Sequence, residues 1–288
     1  MPELPDVEIL RRRFAAQGVG HRIDAVGVQT PRILAGISAR EFSARLIGRK
    51  FRRAQRHGKR LYCMLDRGGW VSFHFGLTGG LEFYRDPHPQ PRFARVVLDF
   101  AAGRRLAYVN RRMIGRMEWV DDMAADIAAR KLGLDALDRG FTAAAFKGAL
   151  AGRRGTIKSV LMDQSVMAGI GNEYSDEILF QCRLHPLTPL ATLGDRERAA
   201  LYRTLRVVLK RAVECGAEPE RLPRNFLIPH RRAGETCPRC GGLIKRIAVE
   251  GRGTYFCPRC QAKPRATPTR RVAPSARVSA RAQSGGRG

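Results

Sequence analysis

Two residues at the start of the chain, Pro2 and Glu3, could perform covalent chemistry on a sugar. Removal of Met1 would leave Pro2 with a free secondary amine, whose lone pair can attack an aldehydic sugar carbon and form an iminium ion. An iminium ion withdraws electrons and labilises neighbouring C–H and C–O bonds, and a carboxyl group beside it can transfer the protons. A proline and a glutamate at a chain start usually have no such role, so this hypothesis needs support from other residues.

Four of the seven cysteines form two closely spaced pairs near the carboxyl end. Sixteen residues separate the pairs, and their apolar runs predict two short strands. Four thiolates in this arrangement close the coordination sphere of a tetrahedral ion, so we expect one structural Zn²⁺. The predicted ligands are Cys237, Cys240, Cys257 and Cys260.

Two glycine-containing turns are candidate phosphate contacts. Arg252 lies between two glycines of the predicted zinc hairpin, so we expect it at the turn tip, with its guanidinium directed toward a phosphate. The Gly-Ile-Gly-Asn segment at 169–172 separates two predicted helices, and N–H groups at the start of the second helix could bind phosphate. A solvated arginine and an ordinary interhelical turn are the alternatives.

The charge balance favours a polyanionic partner. Of 288 residues, 53 are Lys or Arg and 26 are Asp or Glu, which gives a formal charge of +27. Biased use of arginine would not explain the scarcity of acidic residues, so nucleic acid is the favoured partner. No apolar run approaches the ~20 residues of a membrane span, and the first residues lack the features of a secretion signal. We therefore expect a cytoplasmic, nucleoid-associated protein with no membrane partner.

The hydrophobic pattern predicts an α+β chain. Residues 5–16 predict an opening helix. Short apolar runs then predict an antiparallel β-sandwich, because no helices of crossover length separate them. Residues 121–152 are alanine-rich and predict helix, a further helix begins after Thr156, and a long amphipathic helix covers 195–215. The strands are predicted at 60–65, 71–75, 81–84, 96–100, 106–109 and 117–120.

Several motifs together resemble the formamidopyrimidine-DNA glycosylase / endonuclease VIII family. They are PELPDVE at 2–8, Lys59, HFGLTGGL at 74–81, IKSVLMDQSVMAGIGNEY at 157–174 and the two cysteine pairs. The resemblance runs in order from residue 2 to about residue 263. The combination of an amino-terminal PELP, a GIGN turn and a terminal four-cysteine finger is specific to this family.

The resemblance implies that DNA binds in a cleft between two halves of an α+β fold. An amino-terminal antiparallel β-sandwich with an opening helix would precede a helix-two-turns-helix domain and a four-cysteine zinc finger. The expected boundaries are 1–125 for the catalytic sandwich, 126–150 for a linker, 151–232 for the helix-two-turns-helix domain, 233–262 for the finger and 263–288 for a basic disordered tail.

The resemblance also implies a monomeric base-excision repair enzyme, a DNA glycosylase with AP lyase activity on double-stranded DNA that contains oxidised bases or abasic sites. Pro2 would attack C1′ of the damaged nucleotide and expel the base, and the iminium would undergo β- and δ-elimination. Glu3 matches the proton donor, Lys59 the β-elimination lysine and Arg252 the δ-elimination arginine. The matching DNA-binding residues are His74, Leu77, Arg112, Arg153 and Asn172.

Some positions differ from the family pattern. Leu77 replaces a common methionine, Ile114 replaces an aromatic residue and Phe93 replaces a DNA-contacting histidine. Asp6 is shorter than the usual glutamate, and the segment 216–234 is short for a loop that caps a flipped 8-oxoguanine. We therefore expect altered selectivity for the opposite base and weak recognition of 8-oxoguanine. Oxidised or ring-opened purines are favoured as substrates, beside hydantoins and oxidised pyrimidines.

Three alternative functions stay open. They are a non-catalytic damaged-DNA-binding protein of the same fold, an oxidised-pyrimidine-specific glycosylase, and a zinc-ribbon protein bound to RNA or ribosomes. The joint presence of Pro2, Glu3 and Lys59 favours an enzyme, because a binding protein has no need of these three residues. A zinc ribbon explains the charge and the cysteines but not the amino terminus.

Overall fold

The amino-terminal half forms two sheets that pack face to face. The computed structural model describes residues 2–263. Two helices, α1 (Leu4–Gln17) and α2 (Ala39–Leu46), accompany the sheets. The strands are β1 (Ile23–Val28), β2 (Leu34–Ala35), β3 (Phe51–His57), β4 (Arg60–Leu65), β5 (Trp70–His74), β6 (Gly79–Arg85), β7 (Ala94–Phe100), β8 (Arg104–Asn110) and β9 (Arg116–Val120). One sheet has the order β1-β7-β8-β6 and the other β2-β9-β5-β4-β3, with β2 and β9 parallel.

Alternating side chains of the strands build the sandwich core. In β4, Leu61, Cys63 and Leu65 are fully buried in this core. Phe14 of α1 packs edge-on against Phe51, with ring centroids 4.9 Å apart. Burial of such side chains contributes about 1.5–3 kcal/mol each relative to exposure, so the apolar face of α1 fixes this helix on the sheet.

The six predicted strands are confirmed as β4–β9, with ends shifted by at most two residues. The pattern does not predict β1 and β3. In β3 only Phe51 and Ala54 are buried, while Arg52 and Arg53 are exposed. A strand that is polar on most of its length gives too weak a period-two signal to be recognised.

The second half of the described chain is mainly helical. The alanine-rich segment contains two short helices rather than one, because the chain between them forms a strand against 167–168. Gly133 permits this approach, since a Cβ there would lie 2.5 Å from the Ser165 carbonyl oxygen. The elements are α3 (Met123–Ala129), β10 (Leu134–Asp135), α4 (Ala143–Leu150), α5 (Ile157–Met162), β11 (Met167–Ala168), α6 (Asn172–Gln181) and α7 (Asp195–Glu214).

Two predictions for this half are confirmed. The Thr156 hydroxyl accepts a hydrogen bond of 3.2 Å from the Ser159 amide and so caps α5. The long helix α7 buries one apolar face, formed by Leu201, Leu205, Val208, Leu209 and Ala212. Within residues 2–263, none of the helices has the length and apolar composition that a bilayer span requires.

Helix α1 connects the two hydrophobic cores. Leu4 is buried in the core of the helical half, whereas Val7 and Phe14 are buried in the sandwich. The Leu4 amide also donates a 3.0 Å hydrogen bond to the carbonyl of Gly169. The amino-terminal residues Pro2 and Glu3 are therefore held at the junction of the two halves.

The carboxyl-terminal finger is a hairpin of β12 (Lys245–Val249) and β13 (Arg252–Phe256). Glu250 and Gly251 form its two-residue turn, with φ of 48° and 72°, as in a type I′ turn. The prediction that Arg252 lies at the turn tip is wrong, because Arg252 begins β13 and pairs with Val249. The predicted disordered tail at 263–288 lies, apart from Lys263, outside the described residues.

Candidate active site at the junction of the two halves

The carboxylate of Glu3 is bound to the amino-terminal end of α6. Glu3 is 1% exposed. Its two oxygens accept hydrogen bonds from the amides of Gly171 at 2.7 Å, Glu173 at 2.9 Å and Tyr174 at 3.3 Å. The expectation that the 169–172 turn offers free N–H groups to phosphate is therefore wrong for Gly171, whose amide Glu3 already occupies.

Burial sets the proton affinities of Glu3 and Lys59. Loss of solvent raises the pKa of Glu3, although the Lys59 ammonium and the α6 amides oppose this shift. Loss of solvent likewise lowers the pKa of Lys59, and the positive charge of Arg252 adds to this effect. Both side chains lie against Gly171, since a Cβ there would be 2.7 Å from Lys59 Nζ and nearer still to Glu3 Oε1. The two charged groups therefore lie on the same side of Gly171 and influence each other's pKa through their charges.

The β3–β4 hairpin holds Lys59 at this junction. Its turn residue Gly58 has φ of 56°, and its amide donates to Asp135 Oδ2 at 2.6 Å. Arg56 also donates to Asp135, at 2.9 Å from Nη2 to Oδ1. A Cβ at Gly58 would lie 2.9 Å from Ala168 Cβ, so this turn requires glycine. Asp135, which the sequence analysis misses, thus holds the lysine hairpin against the helical half.

A cationic cavity of about 520 Å³ opens beside Lys59. Its lining includes His74, Asn172 and Arg252, three of the predicted site residues. Burial and the surrounding arginines lower the pKa of His74 to about 4, so its imidazole is neutral near pH 7. Further lining residues are Arg60, Arg130, Leu132, Met162, Gln164, Ala168 and Gly171. The abundance of cations favours an anionic occupant such as a phosphodiester.

Pro2 lines a second, smaller cavity of about 230 Å³. Asp6 and Tyr174 line it too, with residues of the segment 217–228 on the opposite side. The Asp6 carboxylate accepts a 2.8 Å hydrogen bond from the Glu3 amide, which completes a capping box at the start of α1. The shorter acidic residue at position 6 is thus engaged in holding the amino terminus in place.

Two other predicted DNA-binding residues, Leu77 and Arg112, lie in neighbouring loops at one end of the sandwich. The Arg112 amide donates to Thr78 Oγ1 at 3.1 Å, which joins the loops. Ile114, in the same loop as Arg112, is 45% exposed. Arg153 lies apart from them, in a 600 Å³ cavity that Arg252 also lines. The predicted site residues therefore lie in separate places, in two cavities and in the loops at the end of the sandwich.

Three arginines surround the ring of Phe93 near these loops, and the sequence does not predict this cluster. Phe93 has φ of 64°, which is rare for a bulky side chain. The guanidinium carbons of Arg92, Arg95 and Arg111 lie 4.6, 5.8 and 6.0 Å from its ring centroid. The dipeptide Arg92-Phe93 was the available signal, since basic and aromatic residues together favour contact with nucleic acid.

The four predicted metal ligands come together. Their sulfur atoms lie within 4.8 Å of one another, with Cys240 and Cys257 3.5 Å apart and Cys237 and Cys260 3.9 Å apart. Four thiolates at these separations fit a tetrahedral ion with metal–sulfur bonds of about 2.3 Å. Arg239 attaches the finger to α6 by donating to the Phe180 carbonyl at 2.8 Å.

Three domain models of known families match the chain. The formamidopyrimidine-DNA glycosylase N-terminal domain matches residues 1–117, and the formamidopyrimidine-DNA glycosylase H2TH domain matches residues 132–222. A zinc finger found in FPG and IleRS matches residues 234–263. Together these matches cover both halves and the finger.

Curated relatives and solved structures agree with these matches. The formamidopyrimidine-DNA glycosylase of Symbiobacterium thermophilum is 37% identical over 278 residues, which are 92% of this chain and 90% of that protein. That of Pelotomaculum thermopropionicum is 34% identical over 273 residues, 91% of this chain and 99% of that protein. A Lactococcus lactis formamidopyrimidine-DNA glycosylase bound to AP-site DNA has a TM-score of 0.82 and 27% identity over 91% of this chain and all of that chain.

Proposed function

The chain belongs to the formamidopyrimidine-DNA glycosylase family, and from that premise we propose that it removes oxidised or ring-opened purines from double-stranded DNA and cuts the strand at the resulting abasic site. The observation that carries this proposal is the meeting of Glu3, which follows Pro2 in the chain, with Lys59 against Gly171. A protein that only binds DNA has no need of this arrangement. Both halves of the site come from one chain, so we propose a monomer that acts on the nucleoid in the cytoplasm.

Base removal begins at Pro2. Once Met1 is removed, the lone pair of the Pro2 amine forms a bond to C1′, and the bond from C1′ to the base breaks. The base leaves with the bonding electrons and takes up a proton. The Pro2 nitrogen then loses its proton and forms the C=N bond of an iminium, while the C1′–O4′ bond breaks and Glu3 protonates O4′. The raised pKa of Glu3 suits a proton donor.

Strand cleavage follows from the iminium. A base takes a proton from C2′, the electrons move toward the iminium, and the C3′–O bond breaks so that a phosphate leaves with the electron pair. We assign Lys59 to this first step, because its lowered pKa favours the neutral amine that can accept the proton. Loss of a C4′ proton and cleavage of the C5′–O bond then release the second phosphate, beside Arg252. Water hydrolyses the remaining bond to Pro2 and restores the amine.

The two cavities suggest how DNA is held. The cationic cavity with Lys59, His74, Asn172 and Arg252 suits the phosphates on either side of the reacting sugar. The smaller cavity beside Pro2 suits a base that has left the stack. One Lactococcus lactis relative has been solved with FAPY-dG-containing DNA, with a TM-score of 0.81, which supports a ring-opened purine as the occupant.

Borohydride trapping tests the proposal. Protein with Met1 removal verified by mass spectrometry is incubated with duplex DNA that contains an abasic site or one oxidised base. We expect a covalent adduct that maps to Pro2, because borohydride reduces the iminium to a stable amine. Absence of an adduct from zinc-loaded, DNA-bound protein would favour the non-catalytic binding protein.

Excision rates on four duplexes test the lesion class. We expect formamidopyrimidine to be removed fastest, hydantoin next and 8-oxoguanine slowly, because the segment that follows α7 and lines the cavity beside Pro2 is short. Single-turnover rates at saturating protein give the ranking without interference from product release. Excision of thymine glycol alone would replace the purine assignment with the oxidised-pyrimidine alternative.

We propose that the four-cysteine site holds one structural Zn²⁺. Cys257→Ser is expected to lower bound zinc from about one ion per chain to well below it, since one of four ligands is lost. It should also weaken DNA binding, because Cys257 belongs to the small core that joins the finger to Phe180 and Leu227. Metal analysis and DNA titration by fluorescence anisotropy measure both effects. Cys182→Ser, outside the metal site, is the matched control, and equal zinc content in the two variants would contradict the assignment.

A further inference from the structure

A buried ionic cluster lies against β13, the strand that begins with Arg252. Asp176 of α6 and Lys158 of α5 are both 0% exposed, and Lys158 Nζ donates to Asp176 Oδ1. The other oxygen of Asp176 accepts from Arg231 Nε at 2.9 Å. Burial of a carboxylate and two cations carries a large desolvation penalty, so the stability of the fold alone does not explain this cluster.

The contacts of the cluster converge on the residues that flank Arg252. Asp176 Oδ2 also accepts a 3.0 Å hydrogen bond from the Tyr255 amide of β13. Arg231 Nη2 donates to the Gly253 carbonyl at 3.2 Å, and the Arg231 guanidinium lies 4.7 Å from the centre of the Tyr255 ring. Asn172 Nδ2 donates to the same Gly253 carbonyl at 2.9 Å. Residues 253–255 of β13 are therefore held both by α6 and by Arg231.

The side chain of Arg252 has little support of its own. Its only hydrogen-bond contact among the described residues is a weak one, 4.0 Å from Nη1 to the sulfur of Met162. No carboxylate of residues 2–263 lies within ion-pair distance of it. Its direction into the cavity therefore depends on where the backbone of β13 is held.

We propose that Arg231, held by Asp176, is a positioning residue that fixes β13 so that Arg252 faces the cavity shared with Lys59. The inference rests on the proposed function, in which Arg252 serves the second elimination. Pro2, Glu3 and Lys59 are not hydrogen-bond or ion-pair partners of Arg231, whose remaining charged neighbour is the exposed carboxylate of Glu173 at 4.0 Å. Loss of Arg231 should therefore change the second elimination far more than base excision or the first elimination.

The test compares Arg231→Gln with Arg232→Gln. Each variant loses one positive charge, and the neighbouring Arg232 is exposed and makes no side-chain hydrogen bond or ion pair within the described chain. The substrate is a duplex with a preformed abasic site, and the products with a 3′-unsaturated aldehyde and with a 3′-phosphate are separated by electrophoresis. For Arg231→Gln we expect the 3′-phosphate fraction to fall about tenfold, less than the ~10²-fold loss that a misplacement of 1 Å can cause, because Asp176 and Asn172 still hold β13. Total cleavage, borohydride trapping and zinc content should stay within about twofold, and Arg232→Gln should match the wild type.

A second readout separates this inference from the proposed function. Hydrogen exchange followed by mass spectrometry should show faster exchange of peptides covering 252–256 in Arg231→Gln, but not in Arg232→Gln. Arg231→Lys, which keeps the charge but not the fork of donors, should give an intermediate product ratio. An unchanged product ratio and unchanged exchange would overturn the positioning role. Absence of trapping in the wild type would overturn the proposed function, and the exchange result would still decide whether Arg231 holds β13.

Discussion

Pro2→Gly is expected to reduce excision of an intact damaged base by about 10³-fold or more, a loss in the range seen when a covalent nucleophile is removed. The secondary amine of proline gives an iminium that is positively charged without a further proton. The primary amine of glycine gives an imine that must first be protonated, and glycine also frees the backbone that Asp6 and Gly169 hold. A preformed abasic site, which already offers an aldehyde, should be cleaved with a smaller loss. Single-turnover kinetics on both substrates give the two ratios.

The comparison must be made at equal DNA occupancy. Fluorescence anisotropy with a non-cleavable abasic analogue gives the occupancy of both proteins, and the rates are taken at saturation. A third preparation that retains Met1 is the sharper control, because the nitrogen of Pro2 is then an amide without an available lone pair. That preparation should bind DNA and form no borohydride adduct at Pro2. Wild-type excision rates in Pro2→Gly would instead support the non-catalytic binding protein.

The sequence predicts the groups of the candidate site better than their partners. The four cysteines share a fixed spacing, so their meeting follows from the ligand geometry of one ion. Pro2 and Glu3 are candidates from their residue types, the family resemblance supports them and adds Lys59, and the structure brings Glu3 and Lys59 against one glycine. The sandwich strands are predicted where apolar residues alternate.

The sequence does not predict the residues that hold these groups, because each of these contacts joins residues that are far apart in the chain. Asp135 binds the Lys59 hairpin across 77 residues of chain, from its carboxylate to the Gly58 amide. Asp176 binds the Tyr255 amide across 79 residues. A lone aspartate in a helical or linker segment gives no local signal of such a bond. For the same reason, the sequence predicts that the α6 amides bind phosphate, whereas in the structure they bind the Glu3 carboxylate.

The position of Glu3 explains why one residue can both hold the fold and take part in the chemistry. Its carboxylate joins α6 to the start of α1, so the two halves meet at the group proposed to transfer the proton. A substitution at Glu3 therefore acts on stability and on reaction rate together. Only a comparison of two substrates separates the two effects.

Glu3→Gln is expected to lower excision of an intact damaged base by about 10²- to 10⁴-fold, the usual contribution of a general acid or base. Cleavage of a preformed abasic site should fall far less, because that substrate needs no proton donor for base loss and ring opening. The glutamine side chain places its NH₂ group against a backbone N–H of α6, where neither group can accept a hydrogen bond. Loss of this buried hydrogen bond lowers the free energy of unfolding by about 1–3 kcal/mol. Thermal unfolding of the variant must therefore be measured as well. In the wild type, the excision rate should decline as pH rises through the pKa of Glu3, which burial holds above its ordinary value, because the protonated donor is lost. This decline should be absent in Glu3→Gln. Equal losses on both substrates, with the pH dependence retained, would assign Glu3 to the fold alone and require another proton donor for base excision.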